Sequence, residues 1–271
     1  MTLPASVHQS LRDRYNPDGS VLRRAQLRML EMLKFLDRVC RENGIRYWID
    51  FGTLLRAVRH DGFIPWDDDT DVCMLREDAD AFKRVMLSGV YGDEFILQCR
   101  ETDDGYFGSW YVLRDTRSEY VQDSEVHNKR RFKGLQVDIF IYDDKTTQLF
   151  VDVTKHFHRD LIQQPLRRIQ DREKGIRAAR PWAFILYRIL DPLFRFLSPR
   201  RDYLAPSFGT WFKLDHTPKE VIFPLGSIDF EGVKFPCPAR KEDELALWYD
   251  DWQCLPDRIR THEVTILFKE S

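Results

Sequence analysis

The sequence predicts an α+β fold in which helices flank a mixed β-sheet. A long helical pattern opens the ordered part of the chain, and short apolar runs then alternate with helical patterns up to about residue 144. A helical, basic and apolar stretch follows, and a small C-terminal region closes the chain.

Taken in order, Val21 to Asn43 is helical. Leu22, Ala25, Met29, Leu33, Leu36 and Cys40 recur at three-to-four spacing, and Gly44 stands where a left-handed cap ends a helix. Ile45 to Phe51, aromatic and β-branched, reads as a strand. Gly52 turns the chain into a short helix from Thr53 to His60, and a loop with Gly62 and Pro65 leads to a strand at about Asp69 to Leu75. A helix is expected at Glu77 to Ser88, with strands at Glu94 to Arg100, Gly108 to Asp115 and Leu135 to Tyr142. Residues 145 to 204 read as mainly helical. From residue 205, short strands and turns are expected around Phe208, Trp211, Phe223 to Leu225 and Phe230 to Phe235, then a helix at Arg240 to Tyr249. We read one domain over residues 1–271, with its core at about 21–144.

Composition excludes several classes. With 43% apolar residues in 271, disorder is ruled out, and 42 Lys+Arg against 44 Asp+Glu points to no polyanionic partner. The five cysteines are scattered without a C-x-x-C pair, which suggests neither a disulfide framework nor a zinc site and fits a reducing compartment. The start of the chain lacks a signal-peptide pattern, and Trp182 to Leu197 is too short and too interrupted by charge to span a bilayer. A cytoplasmic protein is expected, with room for peripheral contact at the inner face of a membrane.

The chemistry concentrates in Asp67-Asp68-Asp69-Thr70-Asp71. Eight acidic residues fall between Asp61 and Asp80, with Arg76 the only cation among them. On a strand, Asp69 and Asp71 would project from one face, and two like charges so close call for a cation between them. Hard carboxylate oxygens select Mg²⁺ or Mn²⁺. Phe51-Gly52-Thr53 ends a strand and opens a helix, where backbone N–H groups can approach a phosphate. Asp138, between Val137 and Ile139, is a lone carboxylate on an apolar strand, which asks for a partner or a metal. A small-residue turn, a carboxylate pair on the next strand and a third carboxylate on a later one is the arrangement of nucleotidyltransferase folds. Each element also has a plain alternative: a solvated acidic turn, an ordinary helix cap, an Asp paired with a buried Arg. Their order and spacing together favour the site.

Residues Trp48-Ile49-Asp50-Phe51-Gly52-Thr53-Leu54-Leu55-Arg56-Ala57-Val58-Arg59-His60, followed by Gly62-Phe63-Ile64-Pro65-Trp66-Asp67-Asp68-Asp69-Thr70-Asp71-Val72, closely resemble the signature of the LicD family. That family includes bacterial phosphocholine transferases and the fukutin and fukutin-related-protein domains. The resemblance continues through Val137-Asp138-Ile139-Phe140, Phe223-Pro224-Leu225, Phe230-Glu231-Gly232 and Trp248-Tyr249-Asp250-Asp251-Trp252, and covers about residues 24 to 262. It implies a nucleotidyltransferase-like fold and transfer of a phospho-alcohol from a CDP-linked donor such as CDP-choline to a glycan acceptor, with CMP released. By position it implies Asp69, Asp71 and Asp138 as metal-binding and catalytic residues, Gly52 and Thr53 against the phosphates, and Arg59 as a phosphate contact. Two positions depart from the family: Arg56 stands where a small residue, commonly Gly, is usual, and Ile141-Tyr142 replace Pro and Leu. The Arg56 side chain is expected either to contact a phosphate or to point to solvent.

Substrate hints are of two kinds. Aromatic cages hold quaternary ammonium groups, and Trp110 and Tyr111, in a cluster with Tyr106 and Phe107, are candidates to contact the donor's alcohol end; core strand residues are the competing reading. Between Pro165 and Arg201, ten Lys or Arg face three Asp or Glu among many apolar residues. This segment either lies on an anionic membrane near a lipid-linked acceptor or packs over the sheet, and its apolar breadth favours packing. No nucleic-acid-binding module is recognisable there. The competing functions are nucleotidyl transfer, in which the nucleotide itself moves, and a non-catalytic glycan- or nucleotide-binding protein. Retention of three costly carboxylates argues against the latter.

Overall fold

A computed structural model describes residues 3–207, 216–256, 259 and 265–269. The expectations at Phe208 and Trp211 lie outside the described residues. In chain order the elements are α1 (Ala5–Tyr15), α2 (Val21–Glu42), β1 (Trp48–Ile49), α3 (Phe51–His60), β2 (Asp71–Leu75), α4 (Arg76–Leu87), β3 (Phe95–Gln98), β4 (Tyr111–Asp115), β5 (Ser118–Val121), α5 (Glu125–Asn128) and β6 (Gln136–Asp143). A helical segment follows: α6 (Gln148–Phe157), a π-helical stretch (His158–Gln163), α7 (Gln164–Arg168), α8 (Arg172–Phe184), a second π-helical stretch (Ile185–Leu190) and α9 (Asp191–Leu197). The chain then forms β7 (Tyr203–Pro206), β8 (Thr217–Pro218), α10 (Lys219–Ile222), β9 (Gly226–Phe230), β10 (Val233–Cys237), α11 (Lys241–Trp248) and β11 (Thr265–Phe268).

The central sheet runs β1-β2-β6-β4-β3, with β7 joining the far end of β6 and pairing onward with β8. Among the described residues only β2 and β6 pair in parallel; the other pairs of this sheet are antiparallel. Side chains alternate across a strand, so the sheet has two distinct faces. Val72, Met74, Leu97, Leu113, Val137, Ile139 and Ile141 point to one face and form the main core with α2 and α4. Asp71, Asp138, Gln136, Arg114 and Gln98 stand on the other, at register positions that carry them across four strands. Further along β2 and β6 that second face turns apolar, where Cys73, Phe140 and Tyr142 pack with Trp48, Phe51 and Ile222. The helical segment builds a cluster of its own around Ile162, Leu166, Ile176 and Leu186, with Phe107 inserted from the sheet side.

The expected long helix is α2. Ser20 caps it, its hydroxyl accepting from the Arg23 amide at 3.0 Å, and Gly44 at φ 65° lets the chain leave it. Several boundaries shift. The strand expected from Ile45 shrinks to Trp48–Ile49, and the helix after it begins at Phe51, capped by Asp50 accepting from the Phe51 amide at 2.8 Å. The strand expected to begin at Asp69 begins at Asp71. Phe223 to Leu225 is not a strand but a turn through the cis peptide bond Phe223-Pro224. Phe230 to Phe235 is the bend of the β9–β10 hairpin, where Glu231 and Gly232 both have positive φ.

Candidate active site

The site forms where the ends of β1, β2 and β6 meet the N-terminus of α3. Phe51 opens α3 at φ 48°, a left-handed conformation costing about 1–3 kcal/mol for a residue with a side chain. Its ring is held edge-on by Phe140 and Trp248, with centroids 5.1 and 4.7 Å away. Gly52 follows, and only glycine fits well: a Cβ would lie 3.0 Å from Arg56 Nη2 and 3.2 Å from Asp71 Oδ2. Thr53 is fully buried, and its hydroxyl accepts from the Asp71 amide at 2.7 Å. That bond ties the first residue of β2 to the first turn of α3.

The acidic loop before β2 is fastened from three directions. Gln26 of α2 donates to the carbonyls of Ile64 and Asp67 at 3.1 and 2.9 Å. Glu231 accepts from the Phe63 amide at 3.1 Å while pairing with Arg23, and Tyr120 of β5 donates to Asp68 Oδ2 at 2.7 Å. Asp68 therefore turns toward β5, whereas Asp67, Asp69 and Asp71 line a cavity of about 580 Å³ with Asp138. Its other wall is aromatic: Phe51, Trp110, Phe140, Trp248 and Tyr249. A second cavity of similar volume, about 570 Å³, lies near Gly134 with a chiefly cationic rim of Arg130, Arg131, Lys133, Arg172 and Lys269. Chemistry, not size, distinguishes the first.

Asp71 and Asp138 are aligned partners on the parallel pair β2–β6, so their side chains leave the sheet side by side. Asp138 is held at both oxygens, Oδ1 by Trp110 Nε1 at 2.9 Å and Oδ2 by Gln136 Nε2 at 3.0 Å. Burial pushes its carboxyl up to about 6, against the pull of the Arg114 charge and the Trp110 hydrogen bond. Asp71 is 8% exposed and accepts no hydrogen bond from a described side chain; burial, then the Asp69 charge, drives its carboxyl well above the usual range. Burial raises Asp69 too, opposed by the Arg56 charge. Asp69 lies in the loop rather than on β2, so the alternation expected to align it with Asp71 does not apply; the loop brings it to the cavity instead.

Among the described residues no group of three or more His, Cys, Asp or Glu side chains is gathered closely enough to hold a metal ion. The Arg56 guanidinium is bonded to Asp67 and Asp69. Asp71 and Asp138 are left, and two carboxylates completed by substrate phosphates and water are an ordinary donor set for Mg²⁺. The residues thus fit an ion held at Asp71 and Asp138.

Of the residues singled out in the sequence, Gly52, Asp69, Asp71, Trp110 and Asp138 line one cavity. Thr53 sits behind it. Arg59 is not in it: its Nη1 donates to the carbonyls of Trp252 and Cys254 at 3.1 and 2.8 Å, anchoring the C-terminal region to α3. Tyr111 lies on the opposite face of β4, in the main core, with its hydroxyl on Asp80 at 3.2 Å. Tyr106 is buried with its hydroxyl on the Trp110 carbonyl at 2.8 Å, and Phe107 belongs to the helical cluster. Arg56 neither points to solvent nor has a donor free for phosphate. Sequence reasoning missed Phe140, Trp248, Tyr249 and Gln136. Period two from Asp138 would have found Phe140 and Gln136; Trp248 and Tyr249 stood in a stretch resembling the LicD signature, which gave them no role in the site.

A mixed sheet with flanking helices, a glycine turn and acidic side chains at the mouth of a parallel strand pair defines a nucleotidyltransferase-like protein. Residues 44–174 match the family model described as LicD/FKTN/FKRP, nucleotidyltransferase domain. Over that stretch the chain is similar to the LicD family. It is 28% identical over 259 residues to the lipopolysaccharide cholinephosphotransferase LicD of Haemophilus influenzae, covering 87% of this chain and 92% of that one. It is 28% identical over 117 residues to the human ribitol 5-phosphate transferase FKRP, covering 35% of this chain and 24% of that protein. An uncharacterized protein of Rickettsia typhi is 42% identical over 60 residues, 22% of this chain and 19% of its own length.

Proposed function

We propose that this transferase takes a phospho-alcohol, phosphocholine first among them, from a CDP-linked donor and places it on a hydroxyl of a cell-surface glycan, releasing CMP. Two relatives, named as a cholinephosphotransferase and a ribitol 5-phosphate transferase, support phospho-alcohol transfer. The observation that carries the reading is the pairing of Asp71 with Asp138 at one wall of a cavity whose other wall is aromatic. Carboxylates suit the phosphate end through a cation, and aromatic faces suit a quaternary ammonium.

The acceptor oxygen attacks the phosphorus of the transferred group, the bond from that phosphorus to the CMP oxygen breaks, and the hydroxyl proton passes to Asp138. Trp110 and Gln136 fix its oxygens. Gly52 lines the cavity at the first turn of α3, where a helix N-terminus suits phosphate oxygens. A Mg²⁺ or Mn²⁺ ion at Asp71 and Asp138 would supply neutralisation of phosphate charge.

A second observation bears on where the acceptor is met. Among the described residues no helix is long and apolar enough to cross a membrane. The helical segment nevertheless exposes an apolar ridge, Phe184, Ile189, Leu193, Phe196 and Leu197, with Arg180, Arg188 and Arg200 exposed beside it. We read this ridge as a peripheral contact with an anionic membrane carrying a lipid-linked glycan.

CMP release from CDP-choline, with Mg²⁺ or Mn²⁺, tests the reaction. Metal-dependent CMP formation by the wild type and its loss in Asp71→Asn is the expected result. CDP-ribitol and CDP-glycerol in the same assay identify the alcohol. Cytidine transferred to the acceptor would point to nucleotidyl transfer instead, and every CDP-alcohol intact beside a glycan extract would overturn the proposal.

A further inference from the structure

We infer that Arg56 is a resident cation of the active site: its single charge offsets one of the two carried by Asp67 and Asp69, and it leaves a site for one divalent ion at Asp71 and Asp138. The inference rests on the metal-dependent reading above. A guanidinium has five N–H donors, and each has an acceptor here. Nε and Nη2 bond Asp67 Oδ2 at 2.9 and 2.5 Å, Nη1 bonds the Asp69 carbonyl at 2.7 Å and Thr53 Oγ1 at 3.4 Å, and Nη2 also bonds Asp69 Oδ1.

Its side chain is 2% exposed, so it does not exchange these partners for water. With its donors committed, Arg56 has none to offer a phosphate. What it supplies is fixed positive charge at the spot where loop carboxylates crowd the end of β2. Arginine suits this task because its planar fork satisfies two carboxylates at once and it stays charged when buried.

The other two carboxylates are in a different state. Asp138 is oriented by Trp110 and Gln136, and Asp71 is nearly buried yet faces the cavity with no described hydrogen bond to its carboxylate. Two side-by-side carboxylates, one of them without a described hydrogen bond, form a position that a small divalent ion completes. The chain therefore replaces one of the charges that an all-acidic loop would draw from solution with one that is covalently attached. Gly52 is part of this arrangement, since a Cβ there would press on the guanidinium and on Asp71 together.

Mn²⁺ binding to the purified chain without nucleotide, followed by the electron paramagnetic resonance of free Mn²⁺, tests this directly. The wild type is expected to bind one ion. Arg56→Gly, which frees Asp67 and Asp69, should bind a second ion or bind the first about 10–100-fold more tightly. Arg56→Lys keeps the charge without the fork and should still bind a single ion, which guards against Arg56→Gly failing to fold. Two ions in the wild type, or equal number and affinity in Arg56→Gly, would overturn the inference and leave the metal-dependent reading intact. No ion in the wild type but one in Arg56→Gly would support Arg56 as the resident cation and overturn the metal requirement. No ion in either would overturn both.

Discussion

Asp71 and Asp138 stand side by side on the parallel strand pair β2–β6, and among the described residues Asp138 is tied down at both oxygens and Asp71 at neither. The asymmetry follows from the neighbours. Trp110 and Gln136 stand on the same face as Asp138 and reach it. Asp71 begins its strand immediately beyond the acidic loop, with the glycine turn beside it. Such a pair is costly without a cation, and that cost implies separable effects on activity and stability.

Asp71→Asn is expected to lower CMP release roughly 10²-fold or more, the scale of losing a group that acts on transition-state charge. The same change removes a nearly buried charge that repels Asp69 and Asp138, so without divalent ions the variant should be more stable than wild type by about 0.5–2 kcal/mol. Thermal unfolding in chelator beside the activity assay checks both signs. Lower activity with lower stability would mean that Asp71 is chiefly structural.

A second buried acid gives the stability a pH dependence of its own. Glu244 of α11 is fully buried, accepts from Trp248 Nε1 at 2.9 Å, and leaves its Oε2 without a partner. Burial first, then the charge of Asp50, pushes its carboxyl from 4.5 up to about 8. A raised folded-state value means the native chain holds a proton that the unfolded chain releases. The contribution is therefore complete below about pH 4.5 and lost as pH rises to about 8. Glu244→Gln should flatten this slope and be the more stable protein at pH 8, by an amount on the order of 2 kcal/mol. Parallel slopes for the two proteins in urea unfolding between these pH values would refute it.

The sheet and the acidic site were legible because they are written in short-range patterns. Period three-to-four marks α2, alternating apolar residues mark β6, and Gly52 and the Asp run mark the turn and the loop. The roles of arginines were not legible in that way. Arg59 looks like a phosphate ligand from its place at the end of α3, but its partners are the carbonyls of Trp252 and Cys254, nearly two hundred residues away. Arg56 looks free, but it folds back on a loop eleven to thirteen residues later. Long side chains choose partners by tertiary proximity, which spacing along the chain does not encode. The membership of Trp248 and Tyr249 in the site was hidden for the same reason.

The aromatic wall yields a comparison in which sequence neighbours at the start of β4 give opposite results. Trp110 lines the cavity and Tyr111 points into the main core. Trp248→Ala should raise KM for CDP-choline several-fold more than for CDP-ribitol, since a cation–π contact is worth about 0.5–2 kcal/mol and ribitol carries no charge. Trp110→Phe keeps a ring but loses the bond to Asp138, so its main effect should fall on kcat. Tyr111→Phe should leave both constants near wild type. Equal KM changes for the two donors would remove the case for a choline-binding wall.

The exposed ridge of the helical segment calls for a test in which membrane and self-association give different answers. Phe196 is 84% exposed, Leu197 68% and Phe184 60%, values that interior-facing residues of these types do not show. Burying one such side chain in an acyl layer is worth about 1.5–3 kcal/mol, and each nearby arginine adds about 1 kcal/mol at an anionic surface. Sedimentation with vesicles containing anionic phospholipid should therefore capture the protein, and neutral vesicles should capture much less. Phe196→Ser combined with Leu197→Ser should reduce capture roughly tenfold or more, without changing CMP release from a soluble donor in the absence of vesicles. If the ridge instead joins two copies of the chain, the wild type will dimerise at micromolar concentration, the double variant will not, and neither will sediment with vesicles. That result would move the ridge from the membrane to a subunit interface and leave the chemistry of the cavity untouched.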